Sequence, residues 1–129
     1  MKNNDTNESS PMESASNRDN PCFDTAPDIA TLNIMTGQGA SFQLPYAQFL
    51  YSELGANPAL EEDAQSPPQR LVVRFAMAEV VVVGSGLKSI EGAIQKHTLK
   101  FVQPADGRYA ATLKTHVASV SITFVKEVA

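Results

Sequence analysis

At 129 residues, with 43% hydrophobic residues, six Phe, three Tyr and no Trp, the chain is long enough for one domain with a modest core. Its formal net charge of −4 lies entirely in residues 1 to 28, where Lys2 and Arg18 face Asp5, Glu8, Glu13, Asp19, Asp24 and Asp28, and the remaining eight basic and eight acidic residues cancel. A neutral folded part has no general attraction for nucleic acid or anionic lipid, and a lone cysteine, Cys22, excludes an intramolecular disulfide.

Residues 1 to 27 are rich in Asn, Ser, Asp, Glu and Pro and nearly lack branched aliphatics. Such a segment cannot bury enough apolar surface to offset its ordering entropy, so it reads as a disordered acidic tail, with Cys22 an incidental thiol and Phe23 its only anchor. The domain is expected over residues 28 to 129. The first apolar stretch starts near Ile29, too far along and too short for a signal peptide. No run approaches the ~20 apolar residues that cross a bilayer, and cytoplasmic residence without membrane contact is the expectation.

In IATLNIMT, Ala30, Leu32 and Ile34 alternate with Thr31 and Asn33, and in SFQLPY, Phe42, Leu44 and Tyr46 alternate with Ser41 and Gln43. The short Gly37 to Gly39 loop between them makes this a predicted β-hairpin. PYAQFLYSELG fits two elements. Tyr46, Phe49, Leu50 and Leu54 fall at helical spacing, yet the run is short and aromatic; strand is preferred. As a strand it would set Phe49 and Tyr51 on the face opposite Leu50 and Leu54, and surface aromatics in a cluster mark partner sites. Tyr46, Phe49 and Tyr51 are therefore the candidate interaction residues.

Residues 55 to 69 hold three prolines and the run Glu61, Glu62, Asp63 and read as a long loop. Calcium loops alternate their ligands around a glycine, a pattern missing here. RLVVRFAM sets Leu71, Val73, Phe75 and Met77 on one face, and Val80 to Val83 follows as a strand apolar on both faces, hence central in its sheet. Leu87, Ile90, Ala93, Ile94 and His97 then recur at helical spacing, predicting an amphipathic helix near residues 86 to 97 capped by Ser85. Gly92 inside it suggests close contact between helix and sheet. TLKFVQ is a further strand, Pro104 to Gly107 a turn, and VASVSITFVKE a last strand with Ala118, Val120, Ile122 and Phe124 facing inwards. The run LVVRFAMAEVVVVGSGLKSIEGAI, Leu71 to Ile94, resembles small bacterial α+β domains in general and carries no family signature.

Chemistry-bearing motifs are few. Gly84, Ser85, Gly86 and Lys88 sit between a strand and a helix, where phosphate is often held. A P-loop would need Lys directly after the last Gly and a Gly where Val81 stands. The dinucleotide fingerprint would need a third Gly where Ser89 stands. A simple anion or nucleotide site at the helix N-terminus remains, against the plainer reading that the glycines serve a tight turn. His97 and His116 have no metal-like partners at a ligand spacing, and Ser89 and His97 lie ~12 Å apart along a helix, too far for a dyad. No catalytic residue, metal or cofactor is nominated.

The expectation is an α+β fold: a curved, mainly antiparallel sheet of five to seven strands, open or closed like a barrel, with one main helix. The expected role is a non-enzymatic cytoplasmic interaction or assembly module that binds a protein partner or itself, and not nucleic acid. The alternative is a small-ligand domain using the Gly84 to Lys88 turn.

Overall fold

The computed structural model describes residues 20–110 and 112–125. Among these residues eight strands form two four-stranded sheets joined by one helix, an α+β fold. The expected antiparallel character holds, but there are two open sheets and no barrel.

The first sheet comprises β1 (Phe23–Thr25), β2 (Thr31–Met35), β3 (Ser41–Pro45) and β7 (Leu99–Val102), in the order β1-β7-β2-β3. The predicted hairpin is β2 and β3, with Leu32 opposite Leu44 and Ile34 opposite Phe42. Gly37 and Gly39 take φ of 86° and 84° in its loop, the left-handed region that glycine enters without steric cost. β7 lies parallel to β2 and antiparallel to β1.

The second sheet is antiparallel throughout: β4 (Phe49–Ala56), β5 (Gln69–Phe75), β6 (Ala78–Ser85) and β8 (His116–Phe124), in the order β4-β5-β6-β8. The ambiguous stretch resolves into a 3-10 turn at Tyr46–Gln48 followed by strand β4. Val80 and Val82 of β6 are buried and Val81 and Val83 half-buried, as an interior strand demands. Leu32, Ile34 and Leu44 from one sheet meet Leu71, Val73, Phe75, Val80 and Val82 from the other in a shared core. Helix α1 (Lys88–Gln95) joins this core through Ile90, Ala93 and Ile94. Among the described residues no helix is long and apolar enough to cross a membrane.

Several expectations need correction. Residues 1–19 of the predicted tail lie outside the described residues, but residues 20–27 belong to the fold. Cys22 and Phe23 are buried, β1 pairs with β7, and Gln103 Nε2 donates to the Pro21 carbonyl at 2.6 Å. Average polarity over the segment concealed two apolar residues with tertiary partners. Met77, expected on the core face, stands in the turn between β5 and β6 and is exposed.

The helix is shorter than expected and Ser85 does not cap it: Leu87 is the N-cap, and no side chain caps the helix there. Instead, Gln69 Oε1 accepts from the Leu87 amide at 2.8 Å, a partner 18 residues away that local pattern cannot reveal. At the other end, the Thr98 amide donates to the Ala93 carbonyl and the His97 amide to the Ile94 carbonyl. His97 therefore occupies the left-handed terminating position, φ 59°, rather than the apolar stripe. Its ring stacks on Tyr46 at 4.7 Å between centroids.

In β8 an extra residue interrupts pairing, with Val83 opposite Ser119 and Gly84 opposite Val117. A bulge reverses the side-chain alternation, so Val117 is buried while Ala118, expected inside, is exposed. The loop over 55–69 is also more ordered than its composition suggests. Asn57 is buried; its Oδ1 accepts from the Ala59 amide to cap a 3-10 turn at Pro58–Glu61, and its Nδ2 donates to the Pro67 carbonyl at 2.9 Å.

Candidate functional site

The turn from Gly84 to Lys88 is the expected anion site. A Cβ on Gly84 would strike the His116 carbonyl oxygen, and one on Gly86 the Lys114 carbonyl oxygen. Gly86 also has φ 61°, whereas Gly84 needs no positive φ and is required only by the close passage of β8. Carbonyl oxygens, the negative ends of their dipoles, thus crowd this turn. The Thr115 hydroxyl donates to the Gly86 carbonyl at 2.8 Å, and the Leu87 amide is taken by Gln69. Lys88 is exposed and Ser85 half-buried. The Gly86 carbonyl and the Leu87 amide are thus committed to internal bonds.

Beside it lies a cleft of about 400 Å³ between the Gln65 to Pro68 segment and the start of β8, with Ser85 and His116 in its wall. His116 is buried, and its Nε2 sits 3.2 Å from the Ala105 and 3.1 Å from the Asp106 carbonyl oxygen. Both neighbours accept, so this nitrogen carries a proton and donates, anchoring the loop that precedes β8. No group of three or more His, Cys, Asp or Glu side chains among the described residues is arranged to hold a metal ion.

The three candidate aromatics do not form one surface. Tyr46 is buried, and its hydroxyl donates to the Leu99 carbonyl at 2.7 Å. Burial pushes this phenol well above its usual range, an effect the same hydrogen bond only partly offsets. Phe49 is half-buried, with its ring edge-on to Phe75 at 5.8 Å. Only Tyr51 is exposed. A bulge in β4 is responsible: Phe49 pairs with Phe75 and Tyr51 with Arg74, so Leu50 is the extra residue and both Leu50 and Tyr51 face outwards.

A different apolar surface appears once the strands are assembled. The exposed large hydrophobic residues are Leu50 (58% exposed), Tyr51 (52%), Met77 (59%), Phe124 (51%) and Val125 (40%). They come from the start of β4, the turn between β5 and β6, and the end of β8, which all lie at one end of the second sheet. Three strand spacings of ~4.8 Å separate the outer strands, so this end is roughly 14 Å across.

The patch runs into the open edge of β8. The Val125 amide donates to the Met77 carbonyl at 2.8 Å, towards β6. Backbone groups alternate along a strand, so those of Ser119, Ser121 and Thr123 also face β6, and those of Val120, Ile122 and Phe124 face away. No backbone partner occupies that side among the described residues. Alongside it runs a groove of about 310 Å³, walled by Val120 and Ile122 and, across from them, by Thr36, Gln38 and Phe42.

Sequence reasoning found only Tyr51 of these residues, because the set is drawn from three separate segments between Leu50 and Val125. One signal was available: Val117 to Val125 contains no charged residue, Pro or Gly. Comparison with protein-family models, curated proteins and solved structures finds nothing that matches this chain.

Proposed function

We propose that this protein is a non-enzymatic interaction module, acting in the cytoplasm, that engages a protein surface through the apolar end of its second sheet and the adjoining edge of β8. The observation that carries this reading is the gathering of Leu50, Tyr51, Met77, Phe124 and Val125 at one end of one sheet. Single exposed apolar residues are ordinary on any protein, whereas five brought to one end of a sheet from three distant segments point to an interface. The unpaired backbone of β8 adds hydrogen-bonding capacity of the kind used when a strand is added to a sheet.

The test is capture from lysate of the source cells with tagged full-length chain, alongside Met77→Asp and Leu50→Asp variants. Both side chains are more than half exposed, so the fold tolerates the change. A co-purifying species held by the parent and lost from both variants supports the module. Equal recovery, or none from the parent, refutes it.

A further inference from the structure

We infer that the occupant of the β8 edge is a second copy of the same chain, added antiparallel across a two-fold axis to continue the second sheet into its partner. This rests on the interaction-module reading and names its partner.

The four sheet edges differ in how they are protected. β1 has three residues, one of them Asp24; β3 ends in Pro45; β4 carries Glu53 and the bulge at Leu50. Short length, charge, proline and bulges are the usual defences against pairing with another chain. β8 is nine residues long, and among the described residues its outward backbone is engaged only at its start. There the bulge displaces Ala118, the Val117 amide donates to Cys22 Sγ at 3.2 Å, and the Val117 carbonyl accepts from the Ala105 amide at 3.0 Å. From Val120 to Phe124 no backbone group of the described residues pairs with this edge, although the Phe42 ring packs edge-on against Phe124 at 5.5 Å between centroids. A β-branched, uncharged edge left open in this way is a hazard unless its partner is built in.

Residues 1–19 contain no Val, Ile, Leu, Phe, Tyr or Trp, the residues that favour strands and could fill the groove.

The strand complements itself. Because the outward-facing backbone belongs to Val120, Ile122 and Phe124, an antiparallel two-fold pair centred on Ile122 sets Ile122 against its own copy. Val120 then falls opposite Phe124 on the groove side, and Ser121 opposite Thr123 on the outer side. Apolar meets apolar, hydroxyl meets hydroxyl, and no like charges are opposed, the pairing that favours antiparallel ladders. The groove beside Val120 and Ile122 receives the groove-side side chains of the incoming strand. Symmetry of this kind is the commonest closed arrangement of identical chains.

The experiment is sedimentation equilibrium of the full-length chain across a wide concentration range, with two double variants. Ser121 and Thr123 are exposed, so charges there leave the fold intact, as a far-UV circular dichroism spectrum checks. Ser121→Lys with Thr123→Lys opposes lysines at both pairs and is expected to abolish the dimer. Ser121→Glu with Thr123→Lys sets opposite charges face to face and is expected to retain it. A parent chain that stays monomeric overturns the proposal, as does a dimer indifferent to both variants. If the parent is monomeric yet captures a partner that the double-lysine variant loses, the module reading survives and only its occupant is wrong. If capture fails as well, both fall.

Discussion

Gly92 is the fifth residue of the eight-residue helix α1, and a Cβ built there meets no atom within 4 Å. The glycine is therefore not holding helix and sheet in close contact, and only its conformational entropy and low helix propensity matter. Replacing it with alanine is expected to stabilise the protein by about 1 kcal/mol. For a domain of this size that corresponds to roughly 4–8 °C in Tm. Gly84 is the control. Its Cβ would collide with the His116 carbonyl and come within 3.0 Å of Val117 Cα, all backbone of a paired strand. β8 would have to move away from β6, so Gly84→Ala is expected to destabilise by about 1–3 kcal/mol. Thermal and urea unfolding followed by circular dichroism measures both. A Gly92→Ala protein no more stable than the parent, or a Gly84→Ala protein as stable as the parent, would refute this account of the two glycines.

Three other expectations concern buried polar groups. Tyr46→Phe removes a buried hydroxyl that donates to Leu99, and should cost about 1–2 kcal/mol in urea unfolding without changing the fold. Asn57→Ala deletes both the cap of the 3-10 turn and the bond to Pro67; about 1–2 kcal/mol should be lost, with faster amide exchange confined to residues 57–68. Burial raises the Cys22 thiol, an effect partly offset by the Val117 amide, and raises the Tyr46 phenol too. The folded state thus holds these protons more tightly than the unfolded chain. The corresponding stability is complete below the ordinary thiol value of about 8.5 and declines as pH rises through the folded values. The urea midpoint should therefore be level between pH 6 and about 8 and fall by pH 10; an unchanged midpoint at pH 10 would contradict the burial of both groups.

Periodicity alone carried much of the architecture. The hairpin of β2 and β3, the pair β5 and β6, the interior position of Val80 to Val83, the helix after Gly86 and the last strand all follow from alternation or helical spacing between neighbours in sequence. These patterns are local because side-chain direction repeats every two residues in a strand and every 3.6 in a helix. The helix boundaries were less legible. The Gln69 bond that meets Leu87 and the left-handed turn at His97 depend on distant or conformational partners.

What tertiary structure alone decided was the identity of the surface. The sequence pointed to Tyr46, Phe49 and Tyr51 because they are neighbours in the chain, but a bulge at Leu50 and the stacking of Tyr46 under His97 separate them into core and surface. Met77, Phe124 and Leu50 share no local pattern, and only the strand order β4-β5-β6-β8 gathers them at one end. Likewise, an uncharged strand becomes an open edge only when its place in the sheet is known. Composition and spacing determine which residues can be buried. Which of them stay exposed together depends on long-range pairing, and a one-residue bulge is enough to change that assignment.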